Sequence, residues 1–306
     1  MTAESRTPER TLVQHPRPVG RAIAQRRIDA LGDPNELPSA ARHSAHLRRT
    51  TDRVAVISDV HANAHALRAV LSDIQRAGID RIWCLGDTVG YGAHPIECLR
   101  MIGESCEIVL AGNHDLAAVG DEPIDRFGEH SRPGVVHARV ELELADDGPV
   151  LREWLALRLT EVVDARRSVD LDLTHEPRLA HHLVDEAVDM IAAAHGAPSP
   201  FDAVWDYVGH DVSTSELGAQ LAGTRMLLVG HSHLQSSDEC GDLLVVNPGS
   251  VGQPRDGDPR AAWAELDPAR DAVELHRTSY DVDAAAAAIV RAGLPQFSAE
   301  RLRAGQ

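Results

Sequence analysis

The chain of 306 residues contains no lysine. All 30 of its basic residues are arginine, a bias that, with the abundance of alanine, reads as a GC-rich coding composition rather than a mechanism. No apolar run approaches the length of a membrane span, so no membrane partner is expected. The N-terminus bears Arg and Pro but no apolar core of a secretory signal. The four cysteines, Cys84, Cys98, Cys106 and Cys240, form no C-x-x-C pair. A structural zinc is therefore not signalled, and the expectation is free thiols in a reducing cytoplasm. Positive charge is also scarce. The formal net charge is -17, and residues 1–53, with ten Arg against six acidic residues, carry about +4. The remainder holds about -21, which argues against binding a nucleic-acid backbone. Aromatic residues amount to 3%, and nothing in their placement marks a base-binding pocket, although Trp83, Trp154, Trp205 and Tyr91 are available for stacking.

What is present is ordinary for a globular protein: 43% apolar and 25% charged residues, enough for one large domain or two smaller ones. Residues 1–50, with Pro8, Pro16, Pro18, Pro34 and Pro38 among polar and basic residues, read as a mostly disordered or partly helical tail. A folded domain is expected over 51–295 and a polar C-terminal tail over 296–306. Within the domain an apolar run alternates with a helical stretch. The runs Val54 to Ser58, Arg81 to Leu85 and Cys106 to Ala111 read as buried strands. Stretches from Ala64 to Ala77 and from His94 to Gly103 read as helices. The repeat implies parallel strands with right-handed crossovers. Residues 116–187 read as a helical cover or insertion, with a charged part over 166–186 whose His175, His181 and His182 are taken as surface residues. Strands resume at Val188 to Ala194 and Met226 to Val229. A hairpin-like pair is expected from Leu243 to Val246 and the Asn247-Pro248-Gly249-Ser250-Val251-Gly252 segment. A last hairpin follows over 261–266 and 272–276, and then an alanine-rich helix from Tyr280.

Five strand ends carry ligand-type residues: Asp59 and His61; Asp87; Asn113 and His114; His195; His231 and His233. Strand C-termini are where open α/β sheets hold ligands. Imidazole and carboxylate together suit Mn, Fe, Zn, Co or Ni. Two such cations roughly 3.5–4 Å apart need a bridging ligand, which a carboxylate can provide, and they bring the pKa of a shared water from about 16 towards about 7. The hydroxide so formed attacks phosphorus in line. An imidazole kept off the metals can protonate the leaving alkoxide.

These motifs, Asp59-Val60-His61, Gly86-Asp87-Thr88-Val89-Gly90-Tyr91-Gly92, Gly112-Asn113-His114-Asp115, His195-Gly196-Ala197-Pro198 and Gly230-His231-Ser232-His233, resemble those of the calcineurin-like metallophosphoesterases in order and spacing. The segment from Asn247 to Arg255 is similar to one in small bacterial members. The resemblance implies an α/β fold: a four-layer α/β/β/α sandwich of two mixed β-sheets. It implies one metal on Asp59, His61, Asp87 and His233, and a second on Asp87, Asn113, His195 and His231, with Asp87 bridging. It further implies His114 as general acid or phosphate-orienting group, with Asp115 beside it. Ala62 stands where many members have Gly. Gly90 stands where the Ser/Thr protein phosphatases carry Asp, which lowers that reading.

The expectation is thus a cytoplasmic, metal-dependent hydrolase of a small-molecule phosphoester, either diesterase or monoesterase, using hydroxide held by two metal ions. The alternatives are a hydrolase of diadenosine polyphosphates or cyclic nucleotides, and a catalytically weak fold used as a protein-binding scaffold. An intact His114 speaks against the scaffold. Oligomeric state is not legible.

Overall fold

The computed structural model describes residues 53–158, 161–162, 190–197, 205–208, 211–213, 216–217, 221, 224–268, 270 and 272–306. The expected tail over 1–50 and the charged 166–186 stretch lie outside the described residues.

The first strand, β1 (Val54–Ile57), sets the plan through its two faces. Side chains alternate across a strand. Val54 and Val56 point into a cluster with Trp83, Leu85, Ile191, Met226, Leu228 and Val246, which is the core between two sheets. Ala55 and Ile57 point the other way, into Leu67, Val70, Ile74, Cys98 and Ile102 of two covering helices. A strand buried on both faces must be apolar throughout, and VAVI is. Its covering helix α1 (Ala64–Arg76) is capped by Asn63, whose side chain accepts from the Ala66 N–H at 3.1 Å. Full burial of Leu67 and Ile74 contributes about 1.5–3 kcal/mol each.

The first sheet adds β2 (Ile82–Cys84) and β3 (Ile108–Val109), both parallel, with α2 (Pro95–Ser105) between them. On its other side β9 (Ala261–Asp267) and β10 (Ala272–Thr278) form the expected hairpin, with β9 paired antiparallel to β1. The order is β10-β9-β1-β2-β3. The second sheet holds β4 (Glu161–Val162), β5 (Met190–Ala194), β6 (Thr224–Val229), β7 (Ser236–Cys240) and β8 (Leu243–Asn247), in the order β4-β5-β6-β8-β7. Strands β5, β6 and β8 are parallel; β4 and β7 are antiparallel edges. Its outer face packs on Ala197, Val212 and Leu217. The sandwich of two mixed sheets between helical layers is therefore the observed architecture.

Several local expectations are corrected. The partner of β8 is β7, not the Asn247–Gly252 segment. Strand β7 reads SSDEC and is largely exposed, so an edge strand left no apolar alternation to find. The cover over 116–187 contains α4 (Arg132–Leu144) and α5 (Gly148–Ala156) but also strand β4. Asn113-His114-Asp115 is not a loop; it is the first turn of α3 (Asn113–Val119). Residues 296–306 are not a polar tail. They form α7 (Gln296–Ala304), whose Ala299 and Leu302 pack against Ala285, Ala286 and Ile289 of α6 (Val282–Arg291). Only two apolar anchors in an otherwise polar helix explain why the stretch read as a tail.

Candidate metal centre

The loops after β1, β2, β3, β5 and β6 meet at one edge of the sandwich. Backbone bonds bind them: Asp59 N–H to Gly86 O at 3.0 Å, His61 N–H to Asp87 O at 2.9 Å, and Gly230 N–H to His195 O at 2.9 Å. The sequence after β8 closes the set. Ser250 Oγ donates to Asp59 O at 2.7 Å, and Gly252 N–H donates to the same carbonyl at 3.0 Å. Asn247 Nδ2 donates to Gly230 O at 2.9 Å. The Asn247–Gly252 segment thus splices the Asp59 loop to the His231 loop.

All eight ligand-type residues are buried. Asp59, His61 and His233 form one group, and Asp87, His195 and His231 form a second. His61 Nε2 lies 3.0 Å from His233 Nε2, and His195 Nε2 lies 3.2 Å from His231 Nδ1. The far nitrogens of three of these rings donate to backbone carbonyls: His61 Nδ1 to Val89 O (3.1 Å), His195 Nδ1 to Leu85 O (3.1 Å) and His233 Nδ1 to Gln253 O (2.6 Å). A ring whose Nδ1–H is committed outward presents a bare Nε2 inward. Two bare nitrogens at 3.0 Å repel unless a positive charge lies by them. Asp59 Oδ1, within the first group, and Asn113 Oδ1, at the start of α3, are buried without a hydrogen-bond partner. The donor set fits cations.

Asp87 joins the groups. Its Oδ1 accepts the His114 N–H at 2.9 Å, so its Oδ2 alone faces both sides, 3.4 Å from His195 Nε2 and 3.7 Å from His61 Nε2. Burial would raise this carboxyl, but the imidazoles of His195, His114 and His61 hold it well below its ordinary value. Burial would likewise lower His195; Asp87 instead lifts it to about 9. Its surroundings demand positive charge at Nε2. Burial takes His231 down to about 4 and His114 to about 3.

His114 reaches the site with His61 and Asp87, a third buried group, without joining the His195 group. Its ring stands edge-on to His61 (4.9 Å between centroids) and Phe127 (4.8 Å), with Tyr91 at 4.8 Å, and its Nδ1 has no partner. Asp115 points away from the centre. It accepts from the N–H groups of Thr88 (3.1 Å), Val89 (3.0 Å) and Gly112 (3.2 Å), which clamps α3 to the β2 loop. Burial and the Asp87 charge push it up to about 7 against those donors.

Backbone strain converges on the same residues. Asp59, His61, Asp87, His231 and His233 all have φ between 47° and 64°. Left-handed backbone costs a non-glycine residue about 1–3 kcal/mol and collects at functional sites. Two glycines make room: a Cβ on Gly112 would sit 2.1 Å from Asp87 Oδ1, and one on Gly90 would sit 2.2 Å from His114 Nδ1.

Three neighbours carried no separate signal in the sequence. Phe127, 3% exposed, meets His114 edge-on; Tyr207 stacks on His231 at 4.1 Å; Arg255 donates to the Tyr91 hydroxyl at 3.2 Å. Phe127 and Tyr207 stand outside any motif. Arg255 ends the Asn247 segment, and Gly-Tyr-Gly around Tyr91 was the available hint.

The chain belongs to the calcineurin-like phosphoesterase superfamily, whose domain matches residues 53–268. An uncharacterized protein of Methanocaldococcus jannaschii is 30% identical over 268 residues, 83% of this chain and 98% of that protein. The crystal structure of a metallophosphoesterase from Sphaerobacter thermophilus is similar with a TM-score of 0.60 at 29% identity, covering 83% of this chain and 100% of that one. A symmetrical bis(5'-nucleosyl)-tetraphosphatase of Proteus mirabilis is 32% identical over 118 residues, 37% of this chain and 41% of that protein. Among the described residues no helix is long and apolar enough to cross a membrane.

Proposed function

We propose that the protein hydrolyses a small-molecule phosphoester at a two-metal centre. One observation carries this reading: two histidine–aspartate groups, with ring nitrogens facing at 3.0 Å and 3.2 Å, share a single oxygen of Asp87. Asp59, His61, Asp87 and His233 would hold one ion, and Asp87, Asn113, His195 and His231 the other. Two ions of Mn, Fe, Zn, Ni or Co, when bound, supply Lewis-acid charge for the phosphoryl oxygens and acidify a water towards neutrality.

The chain's own residues do the rest. Asp87, through Oδ2, fixes the spacing of the two groups. The carbonyls of Val89, Leu85 and Gln253 lock the tautomers of His61, His195 and His233. His114 gives its proton to the leaving oxygen. Burial holds His114 down at about 3, so it would carry that extra proton only with an anionic phosphoester beside it. Asp115 positions α3 and so the His114 backbone; it is a positioning residue.

The test is turnover of p-nitrophenyl phosphate and bis(p-nitrophenyl) phosphate with each metal in turn. Hydrolysis of either supports the reading. No turnover with any metal overturns it and favours a scaffold. The partial similarity to the Proteus mirabilis tetraphosphatase supports a narrower reading, a dinucleoside polyphosphate substrate. Diadenosine tetraphosphate belongs in the same panel.

A further inference from the structure

Aromatic rings are scarce in this chain and unevenly placed. Of its ten Phe, Trp and Tyr residues, four stand around the histidines of the centre: Tyr91, Phe127, Trp205 and Tyr207. The core between the sheets takes one, Trp83, and is otherwise filled without aromatic rings, so core packing does not explain the concentration. Three of the four form a wall. Phe127 meets His114 edge-on at 4.8 Å and Trp205 at 5.1 Å. Trp205 stands edge-on to His231 at 6.5 Å, and Tyr207 stacks on His231 at 4.1 Å. The wall thus runs from the imidazole that serves the leaving oxygen to a residue of the second metal group.

Each ring is held in place. Residues 205–208 run beside the His195 motif, tied to it by Ala197 N–H donating to Asp206 O at 3.0 Å. Trp205 and Tyr207, two residues apart, both reach His231. Trp205 Nε1 donates to Glu122 Oε2 at 3.2 Å, and the Arg126 guanidinium lies over its ring at 4.1 Å while bonding the same carboxylate. Phe127 is buried with Ala117 and Val135. Trp205 and Tyr207, in contrast, are only half-buried. Fixed rings that keep part of their surface in water, beside a buried polar centre, are a surface on which a flat ring stacks with little ordering cost.

We propose that Phe127, Trp205 and Tyr207 form the leaving-group subsite and select phosphoesters whose leaving group carries a planar aromatic ring, an aryl group or a nucleobase. The inference rests on the hydrolase reading and narrows it to a substrate class. A leaving oxygen that takes its proton from His114 places its substituent along Phe127 and Trp205. A small alkyl group there would leave the half-buried rings uncovered.

The test is calorimetric binding to the Mn²⁺-loaded protein, with free Mn²⁺ held constant, of two pairs of phosphonates whose P–C bond is not hydrolysed. One pair is phenylphosphonate and methylphosphonate; the other is the methylenephosphonate analogues of adenosine monophosphate and of ribose 5-phosphate. The aromatic member of at least one pair should bind about tenfold more tightly than its partner, and the pair that shows the gain tells an aryl group from a nucleobase. Trp205→Leu and Tyr207→Leu should each remove about tenfold from that aromatic ligand, the worth of one stacking contact, and leave its partner within about twofold. Trp205→Phe should keep most of the preference. Disturbed metal binding would weaken both members of a pair alike. Trp154, likewise under an arginine at 4.9 Å but packed in the cluster of Leu99 and Leu155, is the control. No aromatic preference in the wild type, equal losses within a pair, or the same loss in Trp154→Leu overturns the proposal. If Trp205→Leu fails to fold, Tyr207→Leu alone decides. A protein that turns over no ester yet shows the selective loss refutes the hydrolase reading and keeps the aromatic subsite; active protein without the selective loss does the reverse.

Discussion

Gly90→Ala tests the placement of His114 without touching His114. Gly90 has φ of 100°, and its added Cβ would stand 2.2 Å from Nδ1 and 2.8 Å from Cγ of the His114 ring. The ring has nowhere to retreat, with His61, Tyr91 and Phe127 each within 4.9 Å of its centre. Left-handed backbone at alanine costs about 1–2 kcal/mol. Forced repacking adds about 1–3 kcal/mol. For a folded unit of this size each kcal/mol lowers Tm by roughly 2–4 °C, so a fall of roughly 4–20 °C is expected. A displacement near 1 Å of a proton donor costs about 10²-fold in turnover. Thermal unfolding and kcat with an alkyl phosphoester, whose leaving oxygen needs the proton, read the two effects, and metal content should stay at the wild-type level. The cycle with His114→Ala separates strain from clash. In that background the alanine should cost only its backbone strain, giving a coupling of about 1–3 kcal/mol. If Gly90→Ala costs the same stability with and without the imidazole, the packing argument is wrong; unchanged kcat in the single variant refutes the role of His114.

Four other outcomes follow from the same geometry. Asp87→Ala should lose both metals and activity, because Oδ2 is the shared atom; two metals retained in elemental analysis refute the bridge. His114→Ala should keep the metals and slow turnover roughly 10²–10⁴-fold, with a smaller loss for p-nitrophenyl esters than for alkyl esters; an equal loss for both argues against a proton donor. Chelation should lower Tm, and Mn²⁺ at about 100 times its Kd should restore about 2.7 kcal/mol, roughly 5–10 °C; a Tm indifferent to chelator counts against a buried cation pair. Burial lifts the Cys84 thiol from 9.0 to about 12, so it holds its proton in the folded state when the unfolded thiol has lost it. Its contribution is therefore constant below pH 9.0 and stability falls as pH rises from there towards about 12. Disulfide-exchange labelling at pH 8 should find Cys84 unreactive until denaturant is added.

The parts of the fold that were legible are those where one face or both faces of an element are apolar. VAVI at β1 and the α1 face Leu67, Val70, Ile74 declare themselves because burial selects them residue by residue. Strand β7 and helix α7 did not, for the same reason in reverse. The first is held by ladder bonds to β8 with its side chains in water, and the second buries only Ala299 and Leu302 as apolar anchors, with Phe297 stacked on His130 and Arg303 paired with Asp283 outside that core. At the site, the convergence was legible because imidazole and carboxylate recur at five strand ends, and those side chains do gather in buried groups. The division of labour within Asn113-His114-Asp115 was not. Helix geometry turns Asp115 back onto the N–H groups of Thr88, Val89 and Gly112, and only coordinates show that a residue one step from His114 faces the opposite way.

Strain and electrostatics at this centre have one source. Five of the candidate ligand residues sit in left-handed backbone, and three rings spend their outward N–H on carbonyls so that bare nitrogens turn inward. Each choice costs folding free energy, and together they crowd lone pairs and carboxylate oxygens into a buried volume. Without positive charge, that arrangement would relax: Asp59 Oδ1 and Asn113 Oδ1 have no donor, and nothing else among the described residues pays for them. The interior is held apart by a sandwich whose two sheets meet across Val56, Trp83, Met226 and Val246, directly behind the ligand loops. The stability of that core is what permits a strained, cation-seeking edge, and the consequence is directional. Core variants such as Met226→Ala should lower Tm with little change in metal affinity, while ligand variants that relieve the crowding should raise the stability of the chelated protein even as they abolish its metals. Asp59→Asn is the cleanest such case, since it removes a buried charge and supplies a donor to an imidazole 3.4 Å away. A chelated Asp59→Asn protein less stable than chelated wild type would show that the loops are rigid for reasons other than the cations they are shaped to hold.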